Sequence, residues 1–597
     1  LGATRFVKQT GAAARREKGE VMRKCLKKVG AAMLAMTMVL SLGMTGTAVE
    51  EELTQTKTER TGTPNASDTA TITVKNVEAG LTVTGYQVID ADYNNGFTGY
   101  HVVDGVSIND MEAPSAGEIL AIAAGINNGT ITGLESEQLT DQGNGVYSAD
   151  VTVGSWVVIV TAGEDKSAVN VYNPMLLSAR YIVNGSNGTT AGGIVDATGN
   201  YTIGADEAYA KRTNGPSVSK EITGSGSGRP NGDDVAIGTR VSFKVTTTIP
   251  NYAVGETTQY KNLSVRIQDT LKGLSLDAQT LNVKVGTDEW QATEIGNKGS
   301  VNTSEHSFSL TLTDRDYILA HTGDTVEITY DAVVGEDAGV NFDANTNSVS
   351  YTYTTDPTTG SDYTTAEVNT YHYTFGLDAE LNGEGSQIPS QEIVKTGEVR
   401  NEAGEIEYKP LGGAGFTLYD ASGAAVTTGY GMEERDDGQG GKVKEKVAVT
   451  DGEYTTDSEG HLTILGLDAG TYTLKETTAP AGYSLNETVY TILITPSYNT
   501  DGTLAQYVVT ITNDKTDDTV TITNAATAYQ LESQDTTRKV PVSVTTDSTG
   551  GQEIRNTKLS ALPSTGGIGT YLFTMVGAVI MAAAVGIFFL KRRRDRE

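Results

Sequence analysis

The chain has 597 residues, 44 basic against 75 acidic, for a net charge of −31, and a single cysteine. A surface of that sign repels nucleic acid and anionic membrane, and this length implies several domains of ~100–200 residues each. The basic residues gather at the two ends, so the stretch between them is more acidic still. At the N-terminal end, Met22-Arg23-Lys24 and Lys27-Lys28 precede an apolar run from Val29 to Met44 and a small-residue site at Gly46-Thr47-Ala48. That order predicts a secretory signal peptide over 1–48, with 1–21 an over-extended start. Cys25 lies inside it, so the exported chain is expected to hold no thiol, disulfide or thiolate metal site. Beyond it, period-2 runs dominate: Val241–Val245, Thr325–Tyr330 and Tyr507–Ile511 read as strands. The expected class is all-β, with tandem immunoglobulin-like β-sandwich domains.

The first module is expected over 51–212. Strands are predicted at Ala70–Val77, Leu81–Ile89, Val151–Thr161 and Ala168–Tyr172. Ser115–Ile126 is the one short helix, with Ser115 as N-cap and Glu118 closing a capping box. Asp90, Asp92 and Asn94 have the acidic spacing of a calcium loop but lack its glycine and terminal glutamate, so a solvated turn is predicted there. Val169-Asn170-Val171-Tyr172-Asn173-Pro174-Met175 resembles the end of the N-terminal domain in sortase-assembled pilins. In that family a lysine near this edge, often in Tyr-Pro-Lys, is the nucleophile for polymerisation. Tyr209-Ala210-Lys211 is the nearest analogue, with Ala in place of Pro, and the resemblance carries the role to Lys211.

The second module is expected over 213–378. Ser217-Val218-Ser219-Lys220-Glu221-Ile222 opens it, Ile267-Gln268-Asp269-Thr270-Leu271 follows, and Asn347-Ser348-Val349-Ser350-Tyr351 stands near its end. Alternation places Val218 with Lys220, and Asn347 with Val349 and Tyr351, on common faces. These pieces resemble the pilin domain that forms an internal isopeptide. The resemblance implies Lys220 as nucleophile, Asp269 as proton shuttle and Asn347 as acceptor. The chemistry asks for these residue types. Burial frees the lysine amine by lowering its pKa and protonates the acid by raising its own. The acid then polarises the carboxamide, and ammonia leaves without any cofactor.

The third module is expected over 379–558. Leu411-Gly412-Gly413-Ala414-Gly415-Phe416-Thr417-Leu418-Tyr419-Asp420 is followed by Gly470-Thr471-Tyr472-Thr473-Leu474-Lys475-Glu476-Thr477-Thr478-Ala479-Pro480. This resembles the SpaA-like, or collagen-adhesin B-type, pilin domain. What that implies is a core glutamate at Glu476, which alternates with Tyr472 and Leu474. Its lysine partner is Lys395 in Ile393-Val394-Lys395-Thr396. The acceptor is Asn556, favoured by its place before the C-terminal signal, with Asn524 the alternative.

The C-terminal end reads Leu562-Pro563-Ser564-Thr565-Gly566, then an uncharged apolar run over 568–590, then a basic tail over 591–597. The run is long enough to span a bilayer as a helix, and the basic tail orients it. The order resembles a Gram-positive cell-wall sorting signal, which implies cleavage by a sortase between Thr565 and Gly566. The whole is identified as resembling a major, or backbone, pilin: a covalent homopolymer joined from Thr565 to a lysine. Implied partners are a pilin sortase, a housekeeping sortase, minor pilins, peptidoglycan and, for an adhesive shaft, host surface ligands. A wall-anchored adhesin or minor pilin is the alternative. An enzyme is disfavoured: no Ser-His-Asp set, zinc spacing or phosphate loop stands out, and His101 and His306 are isolated among strand residues. No cofactor or metal is expected.

Overall fold

A computed structural model describes residues 55–183, 193–210, 212–224, 229–252, 260, 262–381, 391–436, 438, 441–531, 539–559 and 568–594. The signal peptide, Lys211 and the motif Leu562 to Gly566 lie outside the described residues. The chain is mostly β, in several sandwich sheets, and falls into two compact units. The first comprises residues up to 233 with 240–337 and 345–371; the second comprises 234–239, 338–344 and 372–597.

In the first unit, the N-terminal part is a ten-stranded sheet. Its strand Gly154–Thr161 is buried on both faces. Trp156, Val158 and Val160 join the main core with Ile72, Val83 and Leu177. Val157 and Ile159 pack with Val88 and Leu176 against Ile119, Ile122 and Ala123 of the helix Ala116–Asn127. That two-sided burial explains an apolar run without alternation. The helix begins as its sequence predicts. The Ser115 hydroxyl accepts from Glu118 N at 3.2 Å, and the Glu118 carboxylate accepts from Ser115 N at 2.7 Å.

Three local expectations are corrected. Val151–Thr161 is two strands, Val146–Thr152 and Gly154–Thr161, paired with different neighbours. The break falls at Val153, just before Gly154, where a Cβ would stand 2.3 Å from the Ile89 carbonyl oxygen. The predicted strand Ala168–Tyr172 shrinks to Val171–Tyr172, because Glu78 takes up the Val169 and Asn170 amides at 3.2 and 2.9 Å. Asp90 and Asp92 belong to the strand Thr82–Tyr93, and the turn starts only after it, with Asn95 and Gly96 at positive φ. A short helix, Arg315–Ala320, capped by Asp314, has no counterpart in the sequence reading.

The rest of this unit is two facing sheets. One carries Ser219–Thr223, Arg240–Thr248, Thr325–Val334 and Leu274–Val285 in that order. The other carries Val265–Leu271 between Asn345–Asp356 and Ser307–Leu312. Arg240–Thr248 and Thr325–Val334 alternate buried and half-buried residues along almost their full length, the signature of a sandwich strand.

In the second unit, Gly415–Tyr419, Gly470–Thr478, Val489–Tyr498, Leu504–Asn513 and Thr519–Ala526 are neighbours in one antiparallel sheet. A smaller sheet places Ile393–Arg400 between Ile406–Pro410 and Gln552–Asn556. The pairing with Gln552–Asn556 is parallel, Lys395 opposite Ile554 and Gly397 opposite Asn556. A buried carboxyl pair fixes where the Lys395 strand starts. Asp378 accepts from Ile393 N at 2.9 Å and from Leu462 N at 2.8 Å, while Glu392 accepts from Asp378 N at 2.7 Å. Burial, with the Glu392 charge beside it, pushes the Asp378 carboxyl well above the usual range. The chain closes on the helix Ile568–Arg594, of which Leu572–Arg594 is long and apolar enough to cross a membrane.

Two buried lysine clusters and a wall anchor

Lys220 and Lys395 are the only buried lysines among the described residues. A buried ammonium is costly unless paired, so what surrounds each one is informative.

Lys220 enters the core from the strand Ser219–Thr223, where alternation buries it together with Ile222. The facing sheet supplies the other two residues. Asp269 pairs with Val349, and Leu271 with Asn347, so Asp269 and Asn347 are diagonal neighbours on one face. Lys220 Nζ donates to Asp269 Oδ2, to Asn347 Oδ1 at 2.5 Å and to the Tyr330 hydroxyl at 2.7 Å. Tyr330 is also 3.0 Å from Asp269 Oδ1 and accepts from Asn347 Nδ2 at 2.8 Å. The aromatic rings of Phe243 and Tyr330 lie 5.4 Å from the ammonium. Burial pulls the Lys220 pKa down to about 8 against the opposing pull of Asp269, and pushes the Asp269 carboxyl up. Both shifts favour a neutral amine beside a protonated acid.

Lys395 is assembled differently. It shares its sheet with Asn556, through the parallel pairing, and the acid comes from the facing sheet. Glu476 stands on Gly470–Thr478, whose buried face also carries Tyr472 and Leu474. Lys395 Nζ donates to Asn556 Oδ1 and, at 2.9 Å, to Glu476 Oε2. Asn556 Nδ2 donates to Glu476 Oε1 at 2.5 Å. Phe416 places its ring 5.5 Å from the ammonium, and burial lowers the Lys395 pKa. Asn524 lies elsewhere, on Thr519–Ala526, with its Oδ1 accepting from the Thr546 hydroxyl at 2.6 Å.

The structure thus brings together Lys220 with Asp269 and Asn347, and Lys395 with Glu476 and Asn556. Tyr330 is the residue that sequence reasoning missed. Its signal was present in Val326, Ile328 and Tyr330, which alternate onto the buried face of their strand. Each cluster holds an amine, a carboxamide and an acid at contact distance, which is what amide formation with loss of ammonia needs.

Comparisons with known proteins bear on the domains and the anchor. Residues 67–211 match the T6 antigen Ig like domain, 401–506 the SpaA prealbumin-like fold domain, and 555–596 the LPXTG cell wall anchor motif. The trypsin-resistant surface T6 protein of Streptococcus pyogenes serotype M6 is 28% identical over 94% of this chain and 99% of its own. The chain thus carries the parts of a T6-like surface protein: an Ig-like domain, a prealbumin-like domain and a cell-wall anchor. In fold, it is similar to the T6 backbone pilin of serotype M6 S. pyogenes, with a TM-score of 0.55 and 22% identity over 83% of this chain and all of that one. The major pilin SpaD of Corynebacterium diphtheriae matches over 83% of this chain and 99% of its own, at 18% identity and a TM-score of 0.40. The anchor match makes this chain a surface protein attached to the cell wall through its LPXTG signal.

Proposed function

We propose that the chain is a backbone pilin and a self-stapling shaft subunit. Three modules, 51–212, 213–378 and 379–558, are carried between a cleaved signal peptide and a sorting signal. The second is closed by a Lys220–Asn347 isopeptide promoted by Asp269, and the third by a Lys395–Asn556 isopeptide promoted by Glu476. The observation that carries this reading is that the only buried lysines among the described residues each touch an asparagine carboxamide and an acid. The amine attacks the carboxamide carbon, the acid shuttles the proton, and ammonia departs. A pilin sortase then cleaves Thr565–Gly566 and passes the Thr565 acyl group to Lys211 of the next subunit. A housekeeping sortase ends growth by transfer to peptidoglycan, and minor pilins join by the same acyl chemistry.

Intact mass tests the staples. Residues 49–565 are expected to weigh about 34 Da less than their sequence requires, one ammonia per bond. An unmodified mass overturns both staples. Polymerisation has its own test. A Lys211→Arg chain, expressed with its sortases, is expected to lose the high-molecular-weight ladder on denaturing gels while remaining wall-attached as a monomer. A persisting ladder moves the acceptor to another lysine.

A further inference from the structure

The two clusters solve one geometric problem with acids of different length. Glu476 holds both reacting groups itself, taking Lys395 Nζ on Oε2 at 2.9 Å and Asn556 Nδ2 on Oε1 at 2.5 Å. Asp269 is one methylene shorter. Its Oδ2 takes Lys220 Nζ, and its Oδ1 is bonded to the Tyr330 hydroxyl at 3.0 Å. That hydroxyl, and not a carboxylate oxygen, is what Asn347 Nδ2 reaches, at 2.8 Å. We infer that Tyr330 is a catalytic residue of the Lys220–Asn347 closure, supplying the proton that the departing amide nitrogen takes, so that Asp269 and Tyr330 together do what Glu476 does alone. The inference rests on the isopeptide reading above.

The surroundings suit this role. Tyr330 is buried, with its ring stacked on Phe243 at 5.3 Å and met edge-on by Phe308 at 5.0 Å, which fixes where the hydroxyl points. Burial, reinforced by Asp269, keeps the phenol protonated far beyond its ordinary range. It therefore relays a proton rather than holding a charge. The balance closes without any further reactant. The neutral Lys220 amine forms a bond to Asn347 Cγ and gives one proton to Asp269 Oδ2. Asp269 Oδ1 gives its proton to the Tyr330 oxygen as the Tyr330 proton passes to Nδ2. The Cγ–Nδ2 bond breaks, ammonia leaves, and Asp269 and Tyr330 end as they began.

The test follows bond formation in the full chain by pulse-chase in a cell-free translation reaction with mild detergent, where every labelled chain starts without either bond. The readouts are the two cross-linked tryptic peptides, Lys220–Asn347 and Lys395–Asn556. Tyr330→Phe is expected to slow the first by about 10²-fold, the usual scale of a lost acid–base group, and to leave the second unchanged. Combining Asp269→Glu with Tyr330→Phe lengthens the acid and is expected to bring the first back to within about tenfold of the unaltered rate, which still separates it from the single variant. The double variant lacks the same hydroxyl, so its recovery shows that the single variant's defect is chemical and not a failure to fold. An unaltered rate in Tyr330→Phe, or a double variant no faster than the single, overturns the inference. Absence of the Lys220–Asn347 peptide from the unaltered chain overturns the isopeptide reading itself.

Discussion

A Glu476→Ala chain is expected to keep the Lys220–Asn347 bond, lose the Lys395–Asn556 bond and melt far below the unaltered protein in its C-terminal unit. Glu476 touches both reacting groups, so its removal leaves no acid in contact with the Lys395 amine or the Asn556 carboxamide. Its mass deficit falls from two ammonias to one. The stability cost has two parts. Removing one partner of a buried ion pair costs about 3–5 kcal/mol, a figure trimmed here because burial already lowers the Lys395 pKa and lets it shed its proton. The missing bond also releases a closed loop between residues 161 apart, worth about 5 kcal/mol by the loop-closure relation used for disulfides. Whole domains are stable by about 5–15 kcal/mol, so the loss approaches the total. Calorimetry is expected to show that transition lower by on the order of 20 °C. A two-ammonia deficit in this variant removes Glu476 from the mechanism.

The second large effect is mechanical. Held by its ends, the unaltered protein is expected to show no lengthening step from the 395–556 region, and Asn556→Ala is expected to introduce one of about 550 Å. The length follows from 161 positions at ~3.5 Å each in an extended chain, less the folded separation. The strand Ile393–Arg400 is drawn toward its N-terminus and Gln552–Asn556 toward its C-terminus. Because the two are parallel neighbours, they are loaded in shear. The hydrogen bonds along that pairing share the load, and when they fail together nothing else joins the two ends. Lys220→Ala is expected to add a separate step of about 400 Å, from 127 positions. Single-molecule extension reads both. A step of full length in the unaltered protein means that the corresponding bond is absent.

Much of this was legible locally. Lys220, Asp269 and Glu476 each sit on an alternating strand whose apolar members are buried, so the period alone turns them inward, while Asn347 lies in a stretch buried on both faces. What no local pattern encodes is which distant strands become neighbours. The parallel pairing that sets Asn556 two positions beyond the partner of Lys395 brings Asn556, and not Asn524, against that lysine, and it joins segments 161 residues apart. Tyr330 was missed for the same reason. Its strand and its buried face were readable, but its contact with Asp269 crosses from one sheet to the other. The split at Val153 was hidden because the apolar run continues through the break.

With both bonds formed, the chain is no longer topologically a line. The backbone from Lys220 to Asn347 and from Lys395 to Asn556 becomes two rings, each entered and left at its own bond. A peptide bond cut inside a ring opens it without separating what lies on either side. The exposed turns at Glu402 to Gly404 and at Asp514 to Asp517, places where a protease or oxidant finds the backbone, lie inside the second ring. Damage there accumulates without shortening the fibre. Only the stretches outside the rings, such as 348–394, are single points of failure.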